Sequence, residues 1–204
     1  MHAASPPNRN ALAAVILAGG EGRRLGGVNK ADILVDGQRL VERAAAALRP
    51  SCGVMLVATG RAALRLPEGC VAVPDLGCAV RGPLAGLVAA VERLRDVADV
   101  SHVVSVAVDT AHLPADYVDR LWGALVVGGA AVVAGFKGNA YPTNALWRLE
   151  ALRDLPEAAL AGTAPTSIGR LAAALGAGQC DWPESAAGDP FANINTPEDL
   201  ARWS

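Results

Sequence analysis

The sequence predicts a three-layer α/β sandwich, with helices covering both faces of a mainly parallel sheet. Three observations lead there. Short apolar runs alternate with helix-like stretches along the chain, and strand–helix alternation implies right-handed crossovers between parallel strands. Hydrophobic residues make up 52% of the 204 residues, and much of that is Ala, Val and Leu, which suits a sheet buried on both faces. A run of glycines follows the first apolar segment, at the place where an open α/β sheet receives ligands, beyond the C-terminal end of a strand.

In chain order, residues 1–10 are polar and proline-containing and are expected to form a flexible tail, with residues 11–204 as a single domain. Ala13 to Ala18 reads as a buried strand and Gly19 to Lys30 as a loop. Ile33 to Val35 followed by Asp36-Gly37 reads as a short strand and turn. A helix is expected over Val41 to Leu48, and strands over Gly53 to Ala58 and Val71 to Val73. Pro83 to Leu94 is a helix with proline in its first turn, where the missing N–H costs nothing. His102 to Val108 is a strand and Pro114 to Val126 a helix. Strands follow over Ala130 to Ala134 and Thr143 to Trp147, then helices over Trp147 to Leu155, Ser167 to Leu175 and Pro197 to Trp203. Thr196 is placed to cap the last helix, with Asp199 as the reciprocal acid.

Composition excludes several classes. The formal net charge is -2, whereas proteins that live on phosphate backbones are usually basic, so nucleic acid is not an expected partner. No apolar run approaches the ~20 residues of a membrane span, so no membrane association is expected. The apolar stretch Ala11 to Ala18 follows a single basic residue, Arg9, and enters a glycine-rich loop, which reads as a strand and not as a signal peptide. Cys52, Cys70, Cys78 and Cys180 form no C-x-x-C pair; they read as scattered reduced thiols of a cytoplasmic protein.

The segment Leu17-Ala18-Gly19-Gly20-Glu21-Gly22-Arg23-Arg24-Leu25-Gly26-Gly27-Val28-Asn29-Lys30 holds five glycines, two arginines and a lysine. Such a backbone can turn N–H groups inward as an anion nest, and the cations suit a polyphosphate. Two familiar motifs fail here. Counting from Gly20 and Gly22, a dinucleotide fingerprint would need glycine where Leu25 stands. A P-loop over Gly22 to Gly27 would need lysine where Val28 stands. Asp109 ends an apolar run, where a strand-end carboxylate can meet a metal; the alternative is a cap or turn residue. Asp75 could equally be an ordinary loop acid, and Asn193 and Asn195 could bond locally ahead of the last helix. His112, three residues beyond Asp109, reads as a solvated loop histidine.

The pattern L-A-G-G-x-x-x-R-x-G-G-x-x-K resembles the signature of the molybdenum cofactor guanylyltransferase family, within the wider nucleotidyltransferases of sugars, cobinamide and molybdopterin. Later segments agree in order: Pro74-Asp75 with Gly82-Pro83-Leu84-Ala85-Gly86, Val108-Asp109-Thr110, Tyr141-Pro142-Thr143 with Ala145-Leu146, and Phe191 to Leu200 as F-x-N-x-N-T-P-E-D-L. The resemblance implies a nucleotide-diphospho-sugar transferase-like, Rossmann-like fold and transfer of GMP from GTP to molybdopterin or molybdenum-molybdopterin, with Mg²⁺ as cofactor. It implies that Leu17, Ala18, Gly19 and Gly20 wrap the nucleotide and that Arg24 and Lys30 neutralise its triphosphate. Asp75 would contact the nucleotide, Asp109 would hold Mg²⁺, and Asn193 and Asn195 would lie toward the acceptor. Transient contact with molybdoenzyme maturation proteins is a further expectation. The chain departs from the family pattern at Ala111, where proline is common, at Tyr141, where histidine is usual, and at Ala58, where relatives place an asparagine that meets the nucleotide. Alternatives are a molybdopterin cytidylyltransferase, another nucleotidyltransferase with a phosphorylated acceptor, or a catalytically silent nucleotide-binding adaptor.

Overall fold

Strand β1 (Leu12–Leu17) is buried along its whole length, because its alternate side chains feed two cores. Leu12, Ala14 and Ile16 face one core, and Ala13, Val15 and Leu17 the other. The computed structural model describes residues 8–19, 21–22, 28–60, 62–110, 112–125, 129–185 and 188–201. Arg9–Ala11 form a 3₁₀ turn, and the Arg9 carbonyl accepts the Gly53 N–H.

The expected glycine-rich loop carries a two-residue ribbon of β2 (Glu21–Gly22) and β3 (Val28–Asn29). A 3₁₀ turn over Lys30–Asp32 follows, with the Asn29 side chain accepting the Ala31 N–H. Next comes a hairpin of β4 (Leu34–Val35) and β5 (Gln38–Arg39), turned by Asp36 and Gly37 at φ 50° and 75°. Helix α1 (Leu40–Leu48) buries Leu40, Val41, Ala44, Ala45 and Leu48, one stripe at helical spacing.

The other strands are β6 (Val54–Gly60), β7 (Val71–Pro74), β8 (His102–Ala107), β9 (Ala131–Phe136), β10 (Asn139–Arg148) and β11 (Gly178–Trp182). The remaining helices are α2 (Pro83–Leu94), α3 (Tyr117–Ala124), α4 (Leu155–Leu160), α5 (Ile168–Ala174) and α6 (Pro197–Ala201). Among the described residues, seven strands form one sheet in the order β11-β9-β10-β8-β1-β6-β7. Pairing is parallel except along β10, which runs antiparallel to both β8 and β9. Helices α1 and α3 pack on one face and α2, α4 and α5 on the other, the three layers read from the sequence. No helix among the described residues is long and apolar enough to cross a membrane.

Two expectations needed correction, and one strand had not been expected. The helix expected over Trp147 to Leu155 is absent: β10 continues to Arg148, then a 3₁₀ turn over Glu150–Leu152 leads into α4. Trp147 is fully buried in the sheet and its indole N–H donates to Ser105 Oγ at 2.9 Å, which overrides any helical pattern after it. The helix expected from Pro114 begins at Tyr117, since Pro114 to Asp116 form a turn closed by the Tyr117 N–H on the Pro114 carbonyl. Strand β11 was not expected; it is an edge strand that buries only Cys180 and Trp182 of its five residues.

Candidate active site

The C-terminal ends of β1, β6, β7 and β8 meet on one side of the sheet, and a cleft of about 260 Å³ opens between them. Backbone bonds lace these ends together. The Ala18 N–H donates to the Ala58 carbonyl, Val108 N–H to Leu17, and Asp75 N–H to Gly60. A Cβ on Gly19 would stand 3.3 Å from the Gly60 backbone, so the first two strand ends touch main chain to main chain. The start of α2, at Gly82 and Pro83, lines the same cleft and turns the positive end of a twelve-residue helix toward it.

Lys30 and Asp109 stand together at the cleft, the ammonium Nζ 2.6 Å from Asp109 Oδ2. Their side chains are only 17% and 13% exposed, so the pair is shielded from the solvent and salt that screen a surface bridge. The same ammonium donates to Asn195 Oδ1 at 2.5 Å. Three segments far apart in sequence therefore converge on one cation.

Asp109 is the third residue of a tight turn closed by the Thr110 N–H on the Ala107 carbonyl at 3.0 Å. The C-terminal segment packs over this turn: Thr110 pairs with Asn193 in an antiparallel bridge, and the Ile194 N–H donates to the Asp109 carbonyl. Phe191 and Ile194 are fully buried and anchor the segment. Phe191 packs edge-on against Trp182 and tilted against Tyr141. Tyr141 donates its hydroxyl to Asp189; burial, then that bond, push its phenol up to about 12.

Leu17, Gly19, Lys30, Asp75, Asp109 and Asn193 all line the cleft, so most of the residues singled out in the sequence gather there. Ala18 is fully buried beneath it. Asn195 reaches the cluster through Lys30. Gly20 and Arg24 lie outside the described residues, as does Ala111. An adjoining groove of about 520 Å³ shares Gly19, Asp75 and Gly82 with the cleft and extends over Gly60 and Arg81. His112 is exposed, with its ring nitrogens 3.3 and 3.4 Å from the Arg43 guanidinium. Partial burial and that guanidinium hold its pKa below the ordinary value.

Two residues were given no role in the sequence reading, although Thr143 falls in the quoted Tyr141-Pro142-Thr143 segment. Thr143 lines the cleft. Asn144 is fully buried and bonds the Ala107–Thr110 turn. The signal for both was Pro142: proline cannot donate to a sheet ladder, so a proline inside a strand-like run marks a bulge. Ala58 is 1% exposed at the cleft floor, facing Gly86 of α2.

No group of three or more His, Cys, Asp or Glu side chains that could hold a metal ion occurs among the described residues. Two carboxylates, Asp75 and Asp109, line the cleft, a set that fits Mg²⁺, which takes one or two carboxylates and draws its other ligands from substrate phosphates and water.

The profile of the MobA-like NTP transferase domain matches residues 14–176. A molybdenum cofactor guanylyltransferase from Sinorhizobium fredii is 36% identical over 193 residues, covering 92% of this chain and 88% of its own length. One from Cereibacter sphaeroides is 36% identical over 192 residues, 94% of each chain. In fold, the chain is similar to molybdopterin-guanine dinucleotide biosynthesis protein A from Archaeoglobus fulgidus. That match has a TM-score of 0.68 at 22% identity and covers 94% of this chain and 95% of the other. It is also similar to a putative glucose-1-phosphate thymidylyltransferase from Bacillus anthracis, with a TM-score of 0.73 at 13% identity, covering 94% and 93%. The strand-end cleft, the Lys30–Asp109 pair and the C-terminal segment across them thus sit in a nucleotidyltransferase, and the chain belongs to the MobA-like NTP transferase family, among the molybdenum cofactor guanylyltransferases.

Proposed function

We propose that this chain transfers GMP from GTP to molybdopterin or molybdenum-molybdopterin, releasing pyrophosphate and forming the molybdopterin guanine dinucleotide. The observation that carries the reading is the shielded Lys30–Asp109 pair at the strand ends, beside the glycine-rich segment and the start of α2. A terminal phosphate oxygen of the acceptor attacks the α-phosphorus of GTP in line. The new P–O bond forms as the bond between the α-phosphorus and the bridging oxygen breaks, and that oxygen leaves with pyrophosphate. The nucleophile is already an anion, so the protein's work is positioning and charge neutralisation.

Asp109 would hold Mg²⁺, which when bound offsets the negative charge of the phosphates. Lys30, with Arg24 from the glycine-rich segment, would meet the triphosphate and the charge growing on the leaving group. Leu17, Ala18, Gly19 and Gly20 would offer backbone groups to the nucleotide, and Asp75 a carboxylate beside the adjoining groove. Asn193 and Asn195 would face the acceptor. Residues 11–204 would act as a single domain in the cytoplasm; the free state of all four cysteines accords with a reducing compartment. Transient contact with molybdoenzyme maturation proteins would follow from delivery of the product.

The test is to incubate the protein with Mg²⁺, molybdopterin and each nucleoside triphosphate in turn, following pyrophosphate and identifying the dinucleotide by mass. GTP is expected to give the guanine dinucleotide. A clear preference for CTP would make the chain a cytidylyltransferase, and no pyrophosphate with any triphosphate would make it a silent nucleotide-binding protein.

A further inference from the structure

We propose that Asn144 is a positioning residue for the transfer reaction: its buried side-chain amide clamps both ends of the turn that presents Asp109. The inference rests on the reading of Asp109 as the cleft's essential carboxylate.

Strand β10 breaks its register with β9 just here. Tyr141 pairs with Ala134 and Ala145 with the next residue back, Val133, so residues 142–144 bulge out of the ladder. Pro142 has no N–H to donate. A bulge re-aims the side chains it carries. Thr143 is turned to the cleft, and Asn144 is buried with no exposed surface.

The consequence falls on β8. Its pairing with β10 ends at Ser105 opposite Ala145, two residues before the strand itself ends at Ala107. The Ala107 N–H is therefore beyond the ladder, inside the protein, where an unpaired donor is costly. Asn144 Oδ1 accepts it at 2.9 Å. The other half of the same amide, Nδ2, donates to Thr110 Oγ1 at 3.2 Å. Ala107 and Thr110 are the first and last residues of the four-residue turn whose third residue is Asp109, and Thr110 is itself only 3% exposed. One planar amide thus spans the turn, fixing its first backbone N–H and its last side chain together.

The arrangement has a purpose that a continued ladder would not serve. With a full main-chain ladder, β10 would run alongside Asp109 and occupy the edge of the cleft. With the bulge, the neighbouring strand veers off, Thr143 takes a place on the cleft wall, and the Asp109 turn stays fixed by a side chain. Fixing matters because a carboxylate that must meet a phosphate-bound cation loses rate steeply with small misplacement.

The experiment uses the full-length protein in four forms beside the parent: Asn144→Ala, Thr110→Val, Thr110→Ser and Asp109→Asn. Thr110→Val removes the hydroxyl with little change in shape, whereas Thr110→Ser keeps it. Rates are expressed per folded molecule, with the folded fraction from circular dichroism. GTP affinity is measured by calorimetry, and Mn²⁺ affinity of the complex with a non-hydrolysable GTP analogue by electron paramagnetic resonance. Asn144→Ala and Thr110→Val are expected to lower kcat at least about tenfold and to weaken Mn²⁺ several-fold, with GTP affinity within about twofold of the parent. Thr110→Ser is expected to recover most of both losses. If Asp109→Asn is inactive while Asn144→Ala and Thr110→Val match the parent in kcat per folded molecule and in Mn²⁺ affinity, the clamp has no positioning role. A rate loss that merely tracks the folded fraction overturns the clamp in the same way. If Asp109→Asn itself keeps the parent rate, the reading of the cleft fails instead.

Discussion

Asp109 and Lys30 form an ion pair at 2.6 Å in a cleft that shields them both, so removing the carboxylate changes the site without touching the core. Asp109→Asn keeps the size of the side chain and loses its charge. We expect the variant to fold and its kcat to drop by about a hundredfold or more, ~3 kcal/mol of transition-state stabilisation; turnover at limiting Mg²⁺ is the measurement, and a parental rate there would falsify the metal role. Ala58 calls for a different expectation than its place in the sequence suggests. The family resemblance implies an asparagine there, and introducing it looks like a gain of base recognition. The structure opposes that: Gly86 packs so closely over Ala58 that a Cβ on Gly86 would stand 2.7 Å from the Ala58 Cβ, and Ala58 is 1% exposed. Ala58→Asn should overpack the seam between β6 and α2 at a cost of roughly 1–3 kcal/mol. A lower Tm should therefore come with no sharper preference for GTP over CTP and ATP in kcat/KM. An unchanged Tm with an improved GTP ratio would mean that the seam can open to admit the side chain.

At the scale of elements, a reciprocal cap closes the start of α6, just beyond the stretch that Phe191 and Ile194 anchor. The Asp199 N–H donates to Thr196 Oγ1 at 3.1 Å, and Asp199 Oδ2 accepts the N–H groups of Thr196 and Asn195 at 3.0 Å. Thr196→Ala should cost about 1 kcal/mol, roughly 2–4 °C in Tm for a chain of this size, and should raise KM for the acceptor more than for GTP. Equal changes in both KM values would show that the cap does not serve the acceptor side selectively. Strand β8 offers a pH probe at its far end. His102 is 6% exposed, bonds Ser101 Oγ through Nδ1 at 2.8 Å and meets Trp122 edge-on. Burial first, and nearby Arg148 second, hold its pKa below the ordinary 6.5. The fold therefore favours the neutral ring: its stabilisation is present above pH 6.5 or so and fades as the pH falls toward the lower folded value. His102→Gln should narrow the gap in Tm between about pH 7.5 and about pH 5, and a gap as wide as the parent's would assign the acid loss to other groups.

At the scale of the whole molecule, what the sequence made legible follows from how local each cause is. The central strands were readable because a strand buried on both faces is a continuous apolar run, and α2 because Pro83 opens it and its stripe is unbroken. Strand β11 was not readable, since an edge strand with two buried residues of five carries little periodicity. Asn144 stayed hidden because its role depends on where two strands lose register. The partnership of Lys30 with Asn195 spans 165 residues, and no local pattern announces it; only the resemblance brought both toward one cleft. That contact also gives the test of whether the two ends of the chain work as one site. Lys30→Met and Asn195→Ala should each lower kcat/KM. If the ammonium is oriented by the amide, the double variant should lose less than the sum of the single losses, with a coupling of about 0.5–3 kcal/mol, the range for residues in direct contact. Strict additivity would mean that Asn195 acts on the acceptor independently of Lys30, leaving the 2.5 Å contact as a feature of the free protein that the bound triphosphate dissolves.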